Sequence, residues 1–335
     1  MAFTMHSHSG QFCPGHAKDD LEQVIQHAIS IGYKTIGLTE HMPRYSVDDL
    51  YPEEVKDKKK QYSQLEPTPE ASLAALPPRH LAYLAEASRL QAKYADRVHI
   101  LIAFEGEFIR PSYAADILRL SDPSAYPQVD YFIGSLHHVR GVPIDYDRPT
   151  YARARDLVVS EAAPAAAGCE KHPEEAMYEA YYDEQYDMLT ALKPRIVGHF
   201  DLIRLMSDLP GRDVRSWKGV WERIVRNLRT VVDNGGWLEC NTSALRKGLD
   251  EPYPCRVIAE EYLALGGKFT FSDDSHGIAQ VATNYVRGLD YLESLGVTEL
   301  WTFERNPHPG VQAGAKATLT EKSVLISAFR ESLKV

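Results

Sequence analysis

Short apolar runs recur along this chain, and nearly every one ends in an imidazole or a carboxylate. "AFTMHSH" ends in His6 and His8, "KTIGLTEH" (34–41) in Glu40 and His41, and "VHILIAFEGEF" (98–108) reaches Glu105 and Glu107. "DYFIGSLHH" (130–138) ends in His137 and His138, "RIVGHFD" (195–201) in His199 and Asp201, and "KFTFSDDSH" (268–276) in Asp274 and His276. "WLECNTS" (237–243) delivers Asn241 instead, and a late run, "ELWTFE" (299–304), follows. Amphipathic stretches such as "DDLEQVIQHAISIG" and "WKGVWERIVRNLRTVVDNGG" separate them, the second stopping at Gly235–Gly236. Strands alternating with helices predict a parallel sheet. Seven or eight such units in 335 residues point to a closed barrel. In such folds functional groups gather at the C-terminal ends of the strands.

The spacing narrows the chemistry. His6/His8, Glu105/Glu107, His199/Asp201 and Asp274/His276 are i, i+2 pairs. On an extended strand such pairs share one face, roughly 6.5–7 Å apart. The adjacent His137 and His138 face opposite ways, so at most one joins a common cluster. A lone H-x-H says little, and His27, His80, His99, His172 and His308 read as structural or solvated. Repetition at six strand ends is different, because buried polar groups without partners are costly. Convergent histidines and carboxylates, without thiolate, suit Zn²⁺, Mn²⁺ or Fe²⁺.

Composition bounds the rest. The 37 basic and 47 acidic residues leave a net charge of −10, which disfavours broad binding to nucleic acid or anionic membrane. The four cysteines, Cys13, Cys169, Cys240 and Cys255, form no C-x-x-C pair, consistent with reduced thiols in a cytoplasmic protein. "MAFTMHSHSG" lacks the pattern of a secretory signal, and no apolar run approaches transmembrane length. Residues 45–78 and 153–176, charged or Pro- and Ala-rich, read as surface insertions on strand–helix loops of a single domain spanning 1–335.

The segments "MHSHSGQFCPGHA", "IGLTEHMPR", "AFEGEFI", "IGSLHHV", "GHFDLIR", "LECNTSALRK" and "SDDSH" together resemble the PHP (polymerase and histidinol phosphatase) family, in its histidinol-phosphate phosphatase branch. The match runs in family order from residue 5 to 276 and leaves the two insertions uncovered. The resemblance implies a distorted (β/α)₇ barrel with a site for three divalent metal ions (Zn, Mn or Fe) at the C-terminal ends of the strands. The ligands it implies are His6, His8, His16, His41, Glu105 as a bridging carboxylate, His137, His199, Asp274 and His276. The family pattern D-x-H selects Asp274 over its neighbour Asp273.

The resemblance also implies the reaction: L-histidinol phosphate and water give L-histidinol and phosphate, a step in histidine biosynthesis. Divalent ions would polarise the phosphate monoester and acidify a bridging water. Asp201 is the candidate general acid or proton relay, and support of a metal-bound histidine is its competing role. Arg204 is the candidate phosphate clamp, with Arg44 second, because a guanidinium fork matches phosphate oxygens. Asn241 and Glu107 are further substrate-binding candidates, although Asn241 would equally cap the next helix. Two alternatives stand beside this reading: a phosphoesterase of the same family acting on nucleotides or oligonucleotides, and a non-catalytic metal-binding or regulatory module. The expected partner is a small phosphate ester, with neither nucleic acid nor membrane; the sequence leaves the oligomeric state open.

Overall fold

A computed structural model describes residues 1–55, 68–161, 171–307 and 317–334. Its main strands are β1 (Ala2–Thr4), β2 (Tyr33–Leu38), β3 (His99–Glu107), β4 (Tyr131–Ser135), β5 (Ile196–Val197), β6 (Trp237–Asn241) and β7 (Phe269–Ser272). They form one seven-stranded sheet whose spatial order is their chain order. The pairs β1–β2, β2–β3 and β5–β6 are parallel. Met5 N donates to Phe271 O, joining the last strand to the first. This cyclic order is the (β/α)₇ barrel expected. Helices α1 (Leu21–Ser30), α2 (Pro69–Lys93), α3 (Tyr113–Leu120), α4 (Arg148–Glu161), α5 (Pro173–Leu192), α6 (Lys218–Asp233), α7 (Arg256–Ala264), α8 (Tyr285–Ser294) and α9 (Ile326–Ser332) alternate with strands. None of the described helices is long and apolar enough to cross a membrane.

The chain divides into two compact units. The first comprises Met1–Gly106, Leu118–Ile133 and Thr270–Val335. Here α1 turns Leu21, Val24, Ile25 and Ala28 inward at helical spacing. The Tyr83 hydroxyl of α2 lies 2.7 Å from both Leu38 O and Ala103 O, tying the helix to β2 and β3. Phe3, Phe271, Tyr285 and Phe329 pack ring against ring. The late run forms an antiparallel hairpin, β8 (Glu299–Pro307) with β9 (Ala317–Leu325), and so stands outside the parallel sheet.

The second unit comprises Glu107–Ile117 and Gly134–Phe269. Gly198 N donates to Gly134 O and Leu238 N to Lys268 O, carrying the ladder from β4 through β5 and β6 to the start of β7. Against it α6 buries Val220, Ile224, Leu228 and Val231.

The expected strand starts agree with the ladder to within a residue, but its ends do not. β2 stops at Leu38 rather than residue 41, β4 at Ser135 rather than 138, β5 at Val197 rather than 201 and β7 at Ser272 rather than 276. The polar ends leave the ladder because their backbone turns to meet other partners. The stretches read as insertions are partly helical. α2 starts at Pro69, capped by Thr68 Oγ1, and runs through Pro77 and Pro78. Its buried Leu76, His80, Tyr83, Leu84, Ala87 and Leu90 hold it despite two missing backbone donors. His80 is therefore a core residue. α4 and α5 enter the second stretch from either side, while residues 56–67, 162–170, 308–316 and 335, with Cys169 and His308, lie outside the described residues.

Gly37 marks how tightly the first unit packs. A Cβ there would collide with Tyr131 Oη and reach 3.0 Å from Met5 O. These are the two groups joined by the 2.6 Å Tyr131 hydrogen bond. Gly37→Ala should cost about 1–3 kcal/mol of stability, as overpacking does. Adding Tyr131→Phe, which removes the colliding oxygen, should restore part of it. Urea denaturation of the single and double variants checks this.

Candidate metal centre

In the first unit, two isolated parallel bridges bring the strand extensions together: Ser7 with Ser275, and His41 with Glu105. His8 N donates to Ser275 O. His6 Nε2 lies 3.4 Å from Glu105 Oε2 and 3.6 Å from Asp274 Oδ1. His8 Nε2 lies 3.6 Å from Glu105 Oε2 and 3.4 Å from Asp274 Oδ1. His41 Nδ1 is 3.1 Å from Glu105 Oε2. The His8 ring stacks between His41 and His276, with centroids 4.4 and 4.3 Å away. Ligand-type atoms of His8, His41 and His276, and of His6, His8 and Glu105, lie within 4.8 Å of one another. His16 sits at the edge, its ring 44% exposed and 4.5 Å from that of His276, and Nδ1 meets Glu53 Oε1 at 3.1 Å.

These rings are set up to donate lone pairs. His276 Nδ1 lies 2.9 Å from Asp274 O, which assigns the proton to Nδ1 and the lone pair to Nε2. His276 Nε2 and His8 Nδ1 are buried without a hydrogen-bond partner. Burial above all, then the charge of neighbouring imidazoles, pushes the His8 pKa down to about 3. Burial and the proximity of His8 hold His276 well below the ordinary histidine range. Neutral imidazoles beside acceptor-only carboxylates are a donor set that fits a divalent cation.

The second unit holds a smaller group. His137 Nδ1 is 3.5 Å from Glu107 Oε2, and its Nε2 is 3.1 Å from His199 Nε2. β3 thus carries Glu105 to one cluster and, two residues on, Glu107 to the other. Glu107, expected as a substrate contact, lies beside His137. His138 belongs to a short ladder, His138–Val139 with Val142–Pro143, so of the adjacent pair it is His137 that faces His199.

Two expectations of shared strand geometry fail. Asp274 is not extended: its φ is +48°, so a turn, not strand alternation, directs its carboxylate. Asp201 does not share a strand face with His199; it starts the 3₁₀ turn Leu202–Arg204. There Asp201 Oδ2 accepts from Arg204 Nε at 2.8 Å and from Cys255 N at 2.8 Å. Arg204 Nη2 donates to Glu251 O and Pro252 O, and its guanidinium lies over the Tyr253 ring. Asp201 Oδ1 is left outside this network, and Asp201 and Arg204 line a cavity with Tyr178, Tyr182, Arg212 and Cys255. Arg44 is buried, donates to Met42 O and covers Tyr51. Asn241 Oδ1 accepts from Ser243 N and its amide donates to Glu239, so it caps the turn Ser243–Arg246.

Three carboxylates that hold these segments were given no role by sequence reasoning, although Glu40 was named at a strand end. Glu40 Oε1 accepts from Ser9 N and Ser9 Oγ, Glu239 Oε2 accepts from His199 N, and Glu53 meets His16. Burial raises Glu40 to a pKa of about 7. The only signal for Glu40 and Glu239 was a carboxylate in an apolar strand context.

A sheet of this order with histidines and carboxylates gathered beyond its strand ends defines a metal-centre barrel. The PHP domain model matches residues 4–243, and the chain belongs to that family. It is 39% identical over 312 residues to a Schizosaccharomyces pombe protein named "Probable histidinol-phosphatase", covering 92% of this chain and 91% of the relative. It is 30% identical to the histidinol-phosphatase of Saccharomyces cerevisiae, covering 97% and 96% of the two chains. Its fold is similar to the crystal structure of a Lactococcus lactis histidinol phosphate phosphatase complexed with zinc, L-histidinol and phosphate, with TM-score 0.61 and 19% identity over 95% of this chain and 98% of that one.

The depressed histidine pKa values set a pH dependence. A histidine near 6.5 when unfolded but near 3 in the fold takes up its proton on unfolding between those values. Stability of the metal-free protein is therefore intact above about pH 6.5 and falls as pH drops, by up to about 1.4 kcal/mol per unit for each such group. Urea midpoints of chelator-treated protein from pH 7 to 5 should fall, and less steeply in His8→Gln. An identical slope in that variant would contradict the assignment.

Proposed function

We propose that this chain is a metal-dependent phosphomonoester hydrolase that converts L-histidinol phosphate and water to L-histidinol and phosphate in histidine biosynthesis. The buried, neutral imidazole–carboxylate cluster around His8, Glu105 and Asp274 carries this reading, and the named relatives support the substrate. The chain acts as one PHP-type barrel domain in the cytoplasm. Its ligands are His6, His8, His16, His41, Glu105, His137, His199, Asp274 and His276, and they hold three divalent ions, zinc with manganese or iron as alternatives. When bound, such ions neutralise phosphate oxygens and acidify a water for attack.

The chain's own residues do the rest. Neutral His8 and His276 present lone pairs at neutral pH, and Glu107 fixes the His137 ring through Nδ1. Arg204 holds the buried Asp201 in place through Oδ2, leaving Asp201 Oδ1 to take up a proton released by water and hand it to the departing alkoxide, and the guanidinium to meet a phosphate oxygen. With a net charge of −10, the protein relies on local cations to attract its substrate.

Phosphate release from L-histidinol phosphate by the purified, zinc-loaded protein is the direct test. His8→Ala and Asp274→Ala should lose bound metal and lower turnover by more than about a thousandfold, since the activated water goes with the ions. Full metal content with wild-type turnover in either would reject the ligand assignment. Arg204→Lys should keep the metals but lower kcat/KM by roughly 10- to 150-fold, the loss of one charge-assisted hydrogen bond. Unchanged steady-state kinetics would mean that the phosphate is held elsewhere.

A further inference from the structure

The first aspartate of "SDDSH" has no role in the mechanism above, yet its carboxylate is held by donors from four segments of the first unit. Asp273 is fully buried. Its Oδ1 accepts from Ser275 N at 3.1 Å and Thr4 Oγ1 at 3.4 Å. Its Oδ2 accepts from Tyr33 Oη at 3.0 Å and Ala282 N at 2.6 Å. Two donors on each oxygen fill the acceptor sites of a carboxylate and leave it no lone pair for a metal ion. The donors arrive from β1, from β2, from the turn after β7 and from the loop that leads to α8.

Two of those contacts share a property. Asp274, with φ +48°, and Ala282, with φ +59°, are both non-glycine residues in the left-handed region. Such backbone persists only where its surroundings over-determine it. The Ser275 N to Asp273 Oδ1 bond closes an Asx turn around Asp274. The Ala282 N bond pins the second strained residue to the same carboxylate. The turn has two outputs. It sends the Asp274 carboxylate to His6 and His8, and it leaves the Asp274 carbonyl for His276 Nδ1, which turns His276 Nε2 outward.

We propose that Asp273 is a positioning residue for the metal centre: its carboxylate closes the turn that aims Asp274 and His276 at the ion. This rests on the reading that Asp274 and His276 are metal ligands. Extended backbone at 274 would point the carboxylate away from His6 and His8, so a D-x-H pair here depends on the residue before it.

The test compares Asp273→Asn, Asp273→Ala and Asp274→Asn with the full-length wild type. Zinc affinity is measured by competition with a chromophoric chelator, and the Co²⁺-loaded proteins are compared by visible absorption. Asp273→Asn is isosteric but must turn an amide N–H toward either Ser275 N or Ala282 N, breaking one of the two bonds that hold the left-handed residues. It should bind zinc at least fivefold more weakly, with a changed Co²⁺ spectrum. Asp273→Ala should lose at least as much, and Tyr33→Phe, which spares the turn, should stay within twofold of wild type. If Asp273→Asn melts at a lower temperature when metal-free but keeps wild-type zinc affinity and Co²⁺ spectrum, Asp273 serves folding alone and the proposal is overturned. Asp274→Asn separates the two claims. If it leaves zinc and cobalt binding unchanged, the ligand reading fails and the proposal with it; if it alters them while Asp273→Asn does not, only the positioning claim fails.

Discussion

Imidazoles and carboxylates packed at van der Waals distance in a buried space are unstable by themselves. Protonated imidazoles would repel one another and lose their hydration, while neutral ones leave the carboxylates without a counter-charge. The stacked rings of His41, His8 and His276, with Glu105 and Asp274 against them, sit in that position. Burial settles the protonation by driving His8 and His276 to the neutral form. The remaining charge is negative and the lone pairs converge, a combination that a divalent cation satisfies and that water or a lysine would satisfy less well.

The backbone reaches this arrangement by a repeated device. A buried carboxylate on or beside a strand end takes the amide N–H of a ligand-bearing segment: Glu40 that of Ser9, Glu239 that of His199, Asp273 those of Ser275 and Ala282. At Ser9, His199 and Ser275 a side chain thus takes the amide in place of a ladder carbonyl.

Strand starts, helix alternation and the histidine- and carboxylate-bearing segments that follow the strands were legible because periodicity and burial act locally on apolar residues. The ring pairs His6/His8 and His137/His199 came together as their spacing and strand order required. What escaped were contacts set by turns. Asp274 reaches His8 through a left-handed residue, and Asp201 leaves the strand for a 3₁₀ turn where Arg204 binds it. Alternation of side chains cannot express either. Asn241, which suits a substrate contact or a cap equally in sequence, accepts from Ser243 N through a local turn. The run through Pro77–Pro78 reads as a breaker locally, and tertiary burial of the α2 face outweighs it.

Anomalous diffraction at the zinc edge from zinc-loaded crystals tests the central claim most directly. It should place ions about 2.0–2.2 Å from nitrogens of His8 and His276 and from an oxygen of Asp274, and an ion at the same range from His137 and His199. A crystal of protein that still releases phosphate from L-histidinol phosphate, yet shows no anomalous density at either cluster, would contradict it.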